Sequence, residues 1–331
     1  MFEIIPHGTH LDFIGKARLC VAISLAMVAA SVVAVFVVGV HLGIDFAGGT
    51  ELHAKFASAP VDEGRVRDVV NGVPGLKDVS VVRFGGAEDN EFLIRFQNVA
   101  DEADAAAAGS TDADERLRAD RVSSVERALS GAIGGYERQS VDFVGPRVGS
   151  ELRADGFKSI GLAMLLIMIY IAVRFSSRFA PGAVVAVFHD LIITAGIFVM
   201  LGYEFDLRIL AAMLAILGYS LNDTIIIYDR IRENLEARTS RDLAAVLNES
   251  VNQTLSRTVL TSGTTLIAVL ALAVLGGEVI RPFAVAMLIG VFVGTYSSIY
   301  IAAPVLIFFK LRPGGSAPEE GEAPAEAAGK A

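Results

Sequence analysis

"LCVAISLAMVAASVVAVFVVGV", residues 19–40, contains no charged side chain, and this stretch decides the class of fold. An α-helix rises about 1.5 Å per residue and needs about 20 apolar residues to cross the hydrocarbon core of a bilayer. The stretch is too long for the apolar region of a signal peptide, and no convincing cleavage site follows it. It therefore predicts an uncleaved first transmembrane helix over 19–42.

The remainder of the chain has the composition of a multi-pass membrane protein. Its 331 residues are 53% hydrophobic and have a mean hydropathy of +0.55, which exceeds the values of ordinary soluble domains. Six spans place both termini on the same side, and most of the Lys and Arg residues near span ends lie on that side. The positive-inside rule therefore predicts that both termini are cytoplasmic. The five further predicted spans are 155–173, 181–202, 209–228, 258–277 and 282–309.

The polar segment between the first and second spans, 43–154, is predicted to be a periplasmic domain. It holds most of the net charge of −9, and this acidity argues against nucleic-acid binding. Alternating apolar residues and turn signals predict four strands, whereas helical spacing of apolar residues predicts two helices. Their order, β-α-β-β-α-β, is typical of a ferredoxin-like α+β domain. The predicted elements are strands over 51–57, 78–85, 91–98 and 136–144, and helices over 61–73 and 112–133.

The remaining segments are polar. Residues 1–18 are predicted to be the cytoplasmic N-terminus, and 229–257 to form one or two short helices at the cytoplasmic face of the five-helix remainder of the bundle, 155–309. Residues 310–331 lack large apolar side chains and are predicted to be a disordered cytoplasmic tail. Residues 100–114 are predicted to be a mobile insertion in the domain.

One carboxylate, Asp223 in "SLNDTIIIYDRIREN" (220–234), interrupts the fourth apolar run. Placing an aspartate at the centre of a span costs about 2.5–3.5 kcal/mol on insertion scales, so such residues face the bundle interior or a water-filled cavity. Ser220 lies on the same helical face, and Asn222 is adjacent. A proton-carrying role is predicted; the alternative is a protonated packing residue.

Arg257 opens the fifth span, and Thr261 and Thr264 follow it on a polar-to-small stripe that a neighbouring helix can approach closely. An arginine stays charged, so a fixed counter-charge for a titrating carboxylate is one interpretation. The alternative is an arginine that extends to the membrane interface.

His189 and Asp190 lie in the third span, where a histidine beside a carboxylate is suited to proton transfer. A structural polar cluster is the alternative interpretation. The four predicted proton-path residues are thus Asp223, Arg257, Asp190 and His189. The residues predicted to form a supporting polar face are Ser220, Asn222, Thr261 and Thr264.

The sequence contains no recognisable motif of an enzyme or of a cofactor site. His7 and His10 lack Cys or acidic partners for a metal, and Cys20 is the single cysteine. "GIDFAGGT" (43–50) lacks the Lys-Ser/Thr of a phosphate-binding loop, and no Walker motif or nucleophile elbow is present. The sequence therefore predicts neither a cofactor nor a metal.

Several blocks together resemble the SecD/SecF family of bacterial protein-export membrane proteins, and within it the smaller, SecF-type subunit. The fourth-span and fifth-span blocks are the most specific. The blocks are "GIDFAGGT" (43–50), "VGPRVGSELRADG" (144–156), "AVFHDLIITAG" (186–196), "SLNDTIIIYDRIREN" (220–234) and "NQTLSRTVLTSGTT" (252–265).

The resemblance implies a six-span half of a resistance-nodulation-division-type transporter in the bacterial inner membrane. It implies SecD as partner and the use of proton-motive force to assist preproteins on the far side of the SecYEG channel. The family's proton-path carboxylate would fall on Asp223 and its fifth-span arginine on Arg257. Two alternatives are a proton-coupled exporter of small molecules with the same architecture and a membrane assembly scaffold without proton coupling.

Overall fold

The computed structural model describes residues 10–57, 61–84, 90–98, 111–175, 178–237 and 242–308. Within them, six helices are long and apolar enough to cross a membrane, as predicted. The predicted tail, 310–331, and most of the predicted insertion, 100–114, lie outside the described residues. The spanning helices are α1 (Phe13–Val38), α5 (Pro146–Arg174), α6 (Ala180–Met200), α7 (Leu207–Ala237), α8 (Leu243–Leu275) and α9 (Gly277–Ser297), the last continuing through a π-helix (Ser298–Ala302) into α10 (Ala303–Phe308).

Several described helices begin or end outside the predicted spans, whereas the first and third end earlier than predicted, at Val38 and Met200. The segment 229–257 was expected to form separate short helices, but the fourth span continues to Ala237 and the fifth begins at Leu243. Asp242 caps the fifth helix by accepting a hydrogen bond from the Ala244 N–H. Leaving the bilayer does not end a helix, because its hydrogen bonds are internal and the following residues are good helix formers. The second helix likewise begins at Pro146, inside the segment expected to be domain.

Between the first and second spans lies an α/β domain with a four-stranded antiparallel sheet in the order β2-β3-β1-β4. The sequence order of its elements is the predicted β-α-β-β-α-β. The two helices cover one face of the sheet, where Leu52, Phe92 and Leu129 are fully buried. The elements are a short α2 (Ile44–Ala47), β1 (Gly49–Phe56), α3 (Glu63–Asn71), β2 (Leu76–Phe84), β3 (Glu91–Asn98), α4 (Thr111–Ala132) and β4 (Tyr136–Val144).

The opposite face of the sheet rests on the short connection between the third and fourth spans. Glu204 of this connection accepts a hydrogen bond from Ser80 Oγ over 2.9 Å and forms an ion pair with Arg95. Arg95 also pairs with Glu51 on β1. Backbone hydrogen bonds join Phe205 to the residues that follow the first span. These contacts tie the α/β domain to one end of the helical bundle.

The passage from the membrane into the sheet depends on Gly48, which has a φ of +77°. A Cβ atom here would lie 2.8 Å from the Pro146 Cα atom at the start of the second span. Both the left-handed backbone and this close approach require glycine.

We expect Gly48→Ala to lower the free energy of unfolding by about 1–3 kcal/mol, the range for backbone strain of this kind. The measurement is thermal unfolding of the purified chain in detergent. Gly131→Ala is the control, because a Cβ atom at Gly131 meets nothing within 4 Å in an ordinary helical backbone. Equal melting temperatures for the two variants would contradict this account.

Candidate functional site

The carboxylate of Asp223 lies inside the bundle and is 1% exposed. Ser262 of the fifth span donates a hydrogen bond to Asp223 Oδ2 over 3.0 Å. Thr295 Oγ1, from the sixth span, lies 2.7 Å from Ser262 Oγ. The other carboxylate oxygen, Oδ1, is buried without a hydrogen-bond partner among the described residues. Asp223 therefore ends a row of hydroxyl groups that joins three spans.

Arg257 does not form an ion pair with Asp223 in the described part of the chain. Its side chain is exposed at the surface of the fifth span. Five residues separate it from Ser262, which is about 140° around an α-helix. Since Ser262 faces Asp223, Arg257 points away from the inside of the bundle. A direct pair between the carboxylate and the guanidinium is thus not part of this conformation.

A second buried carboxylate, Asp190, lies in the third span and is also 1% exposed. Its Oδ1 atom is 2.9 Å from His189 Nδ1. Its Oδ2 atom accepts hydrogen bonds from Ser220 Oγ over 2.5 Å and from Ser297 Oγ over 2.8 Å. His189 Nε2 is buried and has no partner among the described residues. Asp190 thus connects the third, fourth and sixth spans.

Ser220 therefore belongs to the Asp190 centre, although it lies one turn from Asp223. The sixth span approaches it closely, since a Cβ atom at Gly294 would lie 3.0 Å from Ser220 Cβ. Directly after Ser297 the sixth span changes to a π-helix. There Ser298 Oγ lies 2.8 Å from Thr224 Oγ1. Single π-helical turns within α-helices are frequent at functional sites.

The other predicted supporting residues lie elsewhere. Asn222 is exposed. The hydroxyls of Thr261 and Thr264 donate to carbonyl oxygens of their own helix, and the structure brings neither to Asp223. In the fifth span it is Ser262, one position after Thr261, that meets the carboxylate.

Sequence reasoning missed the contribution of the sixth span. The run "TYSS", residues 295–298, places three hydroxyl-bearing Ser or Thr side chains inside an apolar helix. Polar side chains within a span point to the bundle interior, so this run was a usable signal.

The geometry suits the uptake and release of a proton. An ionised carboxylate without a counter-charge is costly inside a bundle, so the neutral acid is the form that this arrangement of Asp223 accommodates. The hydroxyls around both acids can serve either as donors to a carboxylate or as acceptors from a carboxylic acid. Both the neutral and the ionised form of each acid can therefore be accommodated, although their free energies differ.

Comparison with known proteins places the chain in a family. Residues 124–312 match the family model described as protein export membrane protein SecD/SecF, C-terminal. Residues 33–59 match the SecD/SecF GG motif, which contains the constrained Gly48.

Full-length relatives agree with this match. The protein translocase subunit SecF of Calditerrivibrio nitroreducens is 39% identical over 315 residues, covering 93% of this chain and 97% of the relative. The subunit of the same name from Magnetococcus marinus is 41% identical over 307 residues, covering 92% and 94%.

Among solved structures, the crystal structure of SecDF from Thermus thermophilus, a translocon-associated membrane protein, matches with a TM-score of 0.77 and 36% identity. The match covers 94% of this chain and 40% of the SecDF chain, so this chain spans less than half of that protein. The family model, the relatives and the fold agree, and the chain belongs to the SecD/SecF family of protein-export membrane proteins.

Proposed function

We propose that this chain is an accessory subunit of the bacterial Sec protein-export machinery that couples proton movement to preprotein translocation. It would act in the inner membrane together with SecD, beside the SecYEG channel, with both termini in the cytoplasm. Relatives over nearly the whole chain are named SecF, which supports the role in export. The observation that carries the coupling is the pair of buried acids, Asp223 and Asp190, each bonded to hydroxyls from other spans.

Proton exchange at these acids would change how the helices pack. Asp190 makes three hydrogen bonds with side chains on its own and two other spans. Ionisation strengthens hydrogen bonds donated by hydroxyls, whereas the protonated acid must donate one itself. A change of protonation therefore alters the contacts that hold the third, fourth and sixth spans together.

The α/β domain offers a route by which this change reaches the periplasmic side. It rests on the connection between the third and fourth spans through Arg95 and Glu204. The third and fourth spans carry the two buried acids, and the second span follows the sheet directly. A shift of these spans would therefore move the connection on which the α/β domain rests.

The exposed side chain of Arg257 supports a partner in the membrane. It lies at the surface of the fifth span. A charged side chain on the outside of a span is costly against lipid, whereas a second subunit can cover it. This supports assembly with SecD.

The test measures export of a preprotein into vesicles containing the channel, SecD and this chain, with and without a proton gradient. We expect a protonophore, and equally the double variant Asp223→Asn/Arg257→Gln, to abolish the proton-dependent part of the stimulation that the chain provides. A scaffold without proton coupling would keep the stimulation in both cases, and that result would refute the proposal. Export of small molecules by the chain and SecD without a preprotein would instead favour an exporter.

A further inference from the structure

An apolar groove of about 530 Å³ opens between the first and second spans, at the end of the bundle that carries the α/β domain. The first and second spans both pack on the third span, with no extensive contact between themselves. Leu191 and Ala195 of the third span and Met213 of the fourth line it. Phe46 and Phe205, from the segments that lead to the sheet, also line it. The groove is thus open sideways toward the membrane.

One cation, Arg153, stands at the mouth of this groove. Two other basic residues on the same helix form ion pairs: Arg147 pairs with Glu151, and Lys158 pairs with Asp155. Arg153 itself is exposed and has no ion pair or hydrogen bond with any residue in the described ranges. It precedes the apolar part of the second span, which places it at the level of lipid headgroups.

We propose that this groove binds one acyl chain of an anionic phospholipid, with the headgroup phosphate at Arg153. The kind of ligand follows from the chemistry of the apolar lining and of the Arg153 guanidinium. The lining side chains other than Arg153 are apolar, so a hydrocarbon chain is accommodated without desolvating polar groups. A free guanidinium at the interface attracts a phosphate group and can bind it through two parallel hydrogen bonds. The leaflet concerned is the one on the side of the α/β domain.

The position of the groove gives the lipid a structural role. Leu191 follows Asp190 directly, and Phe46 belongs to the helix that joins the membrane to the sheet. The bound chain would fill the space between the first and second spans where the bundle supports the domain. It would therefore stabilise the support of the sheet.

The test uses fluorescence, because the chain contains no tryptophan. Phe157 is 73% exposed and lines the groove, so Phe157→Trp introduces a single reporter there. The full chain is reconstituted in two kinds of phosphatidylcholine vesicles. One contains a small fraction of phosphatidylglycerol with brominated acyl chains, and the other contains the same fraction of phosphatidylcholine with brominated acyl chains. We expect brominated phosphatidylglycerol to quench this reporter more strongly than brominated phosphatidylcholine at the same fraction.

Matched variants assign the preference to Arg153. In the Phe157→Trp background, Arg153→Gln should reduce the excess affinity for phosphatidylglycerol about fivefold, the factor expected for about 1 kcal/mol per basic side chain at a membrane surface. Arg147→Gln should leave it unchanged. A reporter at Phe292→Trp, in a separate apolar cleft of the sixth span, should show no preference.

Three results would overturn the proposal. One is equal quenching by both brominated lipids at Phe157→Trp. Another is an equal loss of preference on substituting Arg153 and Arg147. The third is loss of quenching when SecD is present, which would show that a helix of the partner covers the groove.

Discussion

Asp223→Asn is expected to assemble normally and to remove the proton-dependent part of export stimulation. Asparagine retains an oxygen that accepts the hydrogen bond from Ser262, and its volume is the same, so the packing of the fourth and fifth spans is kept. It cannot bind or release a proton. One charge moved through 100 mV is worth about 2.3 kcal/mol, a bias of about fiftyfold in a two-state equilibrium. The variant loses that bias.

The measurement is the rate of preprotein export in vesicles with and without a proton gradient. Asp229→Asn is the matched control, since Asp229 lies on the same helix, is exposed and forms a long ion pair of 3.6 Å with Arg174. An exposed ion pair of this kind contributes little, so the control should retain the stimulation. Proton-dependent export at the original rate in Asp223→Asn would exclude the assigned role of the carboxylate.

Asp190→Asn is expected to impair both coupling and stability. The carboxylate makes hydrogen bonds with His189, Ser220 and Ser297. An asparagine amide group offers one acceptor oxygen, and when its NH2 group faces the serines, the hydroxyl hydrogen of Ser220 loses its acceptor among the described residues. The unsatisfied buried groups should lower the free energy of unfolding by about 1–3 kcal/mol. Stimulation by the proton gradient should fall to the level seen without a gradient.

Thermal unfolding in detergent and export in vesicles measure the two effects separately. The control is Thr194→Val on the same span. Thr194 is fully buried, and its hydroxyl has no hydrogen-bond partner among the described residues, so removing the hydroxyl leaves no group unsatisfied. This control should match the unsubstituted chain in stability and export. Were Asp190→Asn as stable and as active as Thr194→Val, Asp190 would be neither a packing centre nor a proton carrier.

Much of the architecture was predictable because it depends on local patterns. Apolar runs of sufficient length predicted six spans, and the described residues contain six such helices. Strands 91–98 and 136–144 were predicted with their observed bounds. Helix ends outside the membrane were not predictable from hydropathy, which is why the segment 229–257 was misjudged.

The candidate site was predictable only in part. A carboxylate within an apolar run is recognisable in the sequence, so Asp223 and Asp190 were predicted as site residues. Its partners come from other helices, and a rotation of one residue, about 100°, decides between Thr261 and Ser262. A rotation of about 140° on the fifth span separates Arg257 from Ser262, which faces the carboxylate, although both Arg257 and Asp223 belong to blocks that the sequence singled out.

The amino-acid sequence alone determined the number of spans, the presence of an α/β domain and the acids inside the membrane. These depend on the preference of each side chain for water or lipid and on the period of the local backbone. The tertiary structure alone decided which hydroxyls meet each acid, and that Arg257 faces outward. Those contacts depend on the relative rotation and close approach of helices distant in sequence, which glycines such as Gly294 and the π-helix at Ser298–Ala302 set.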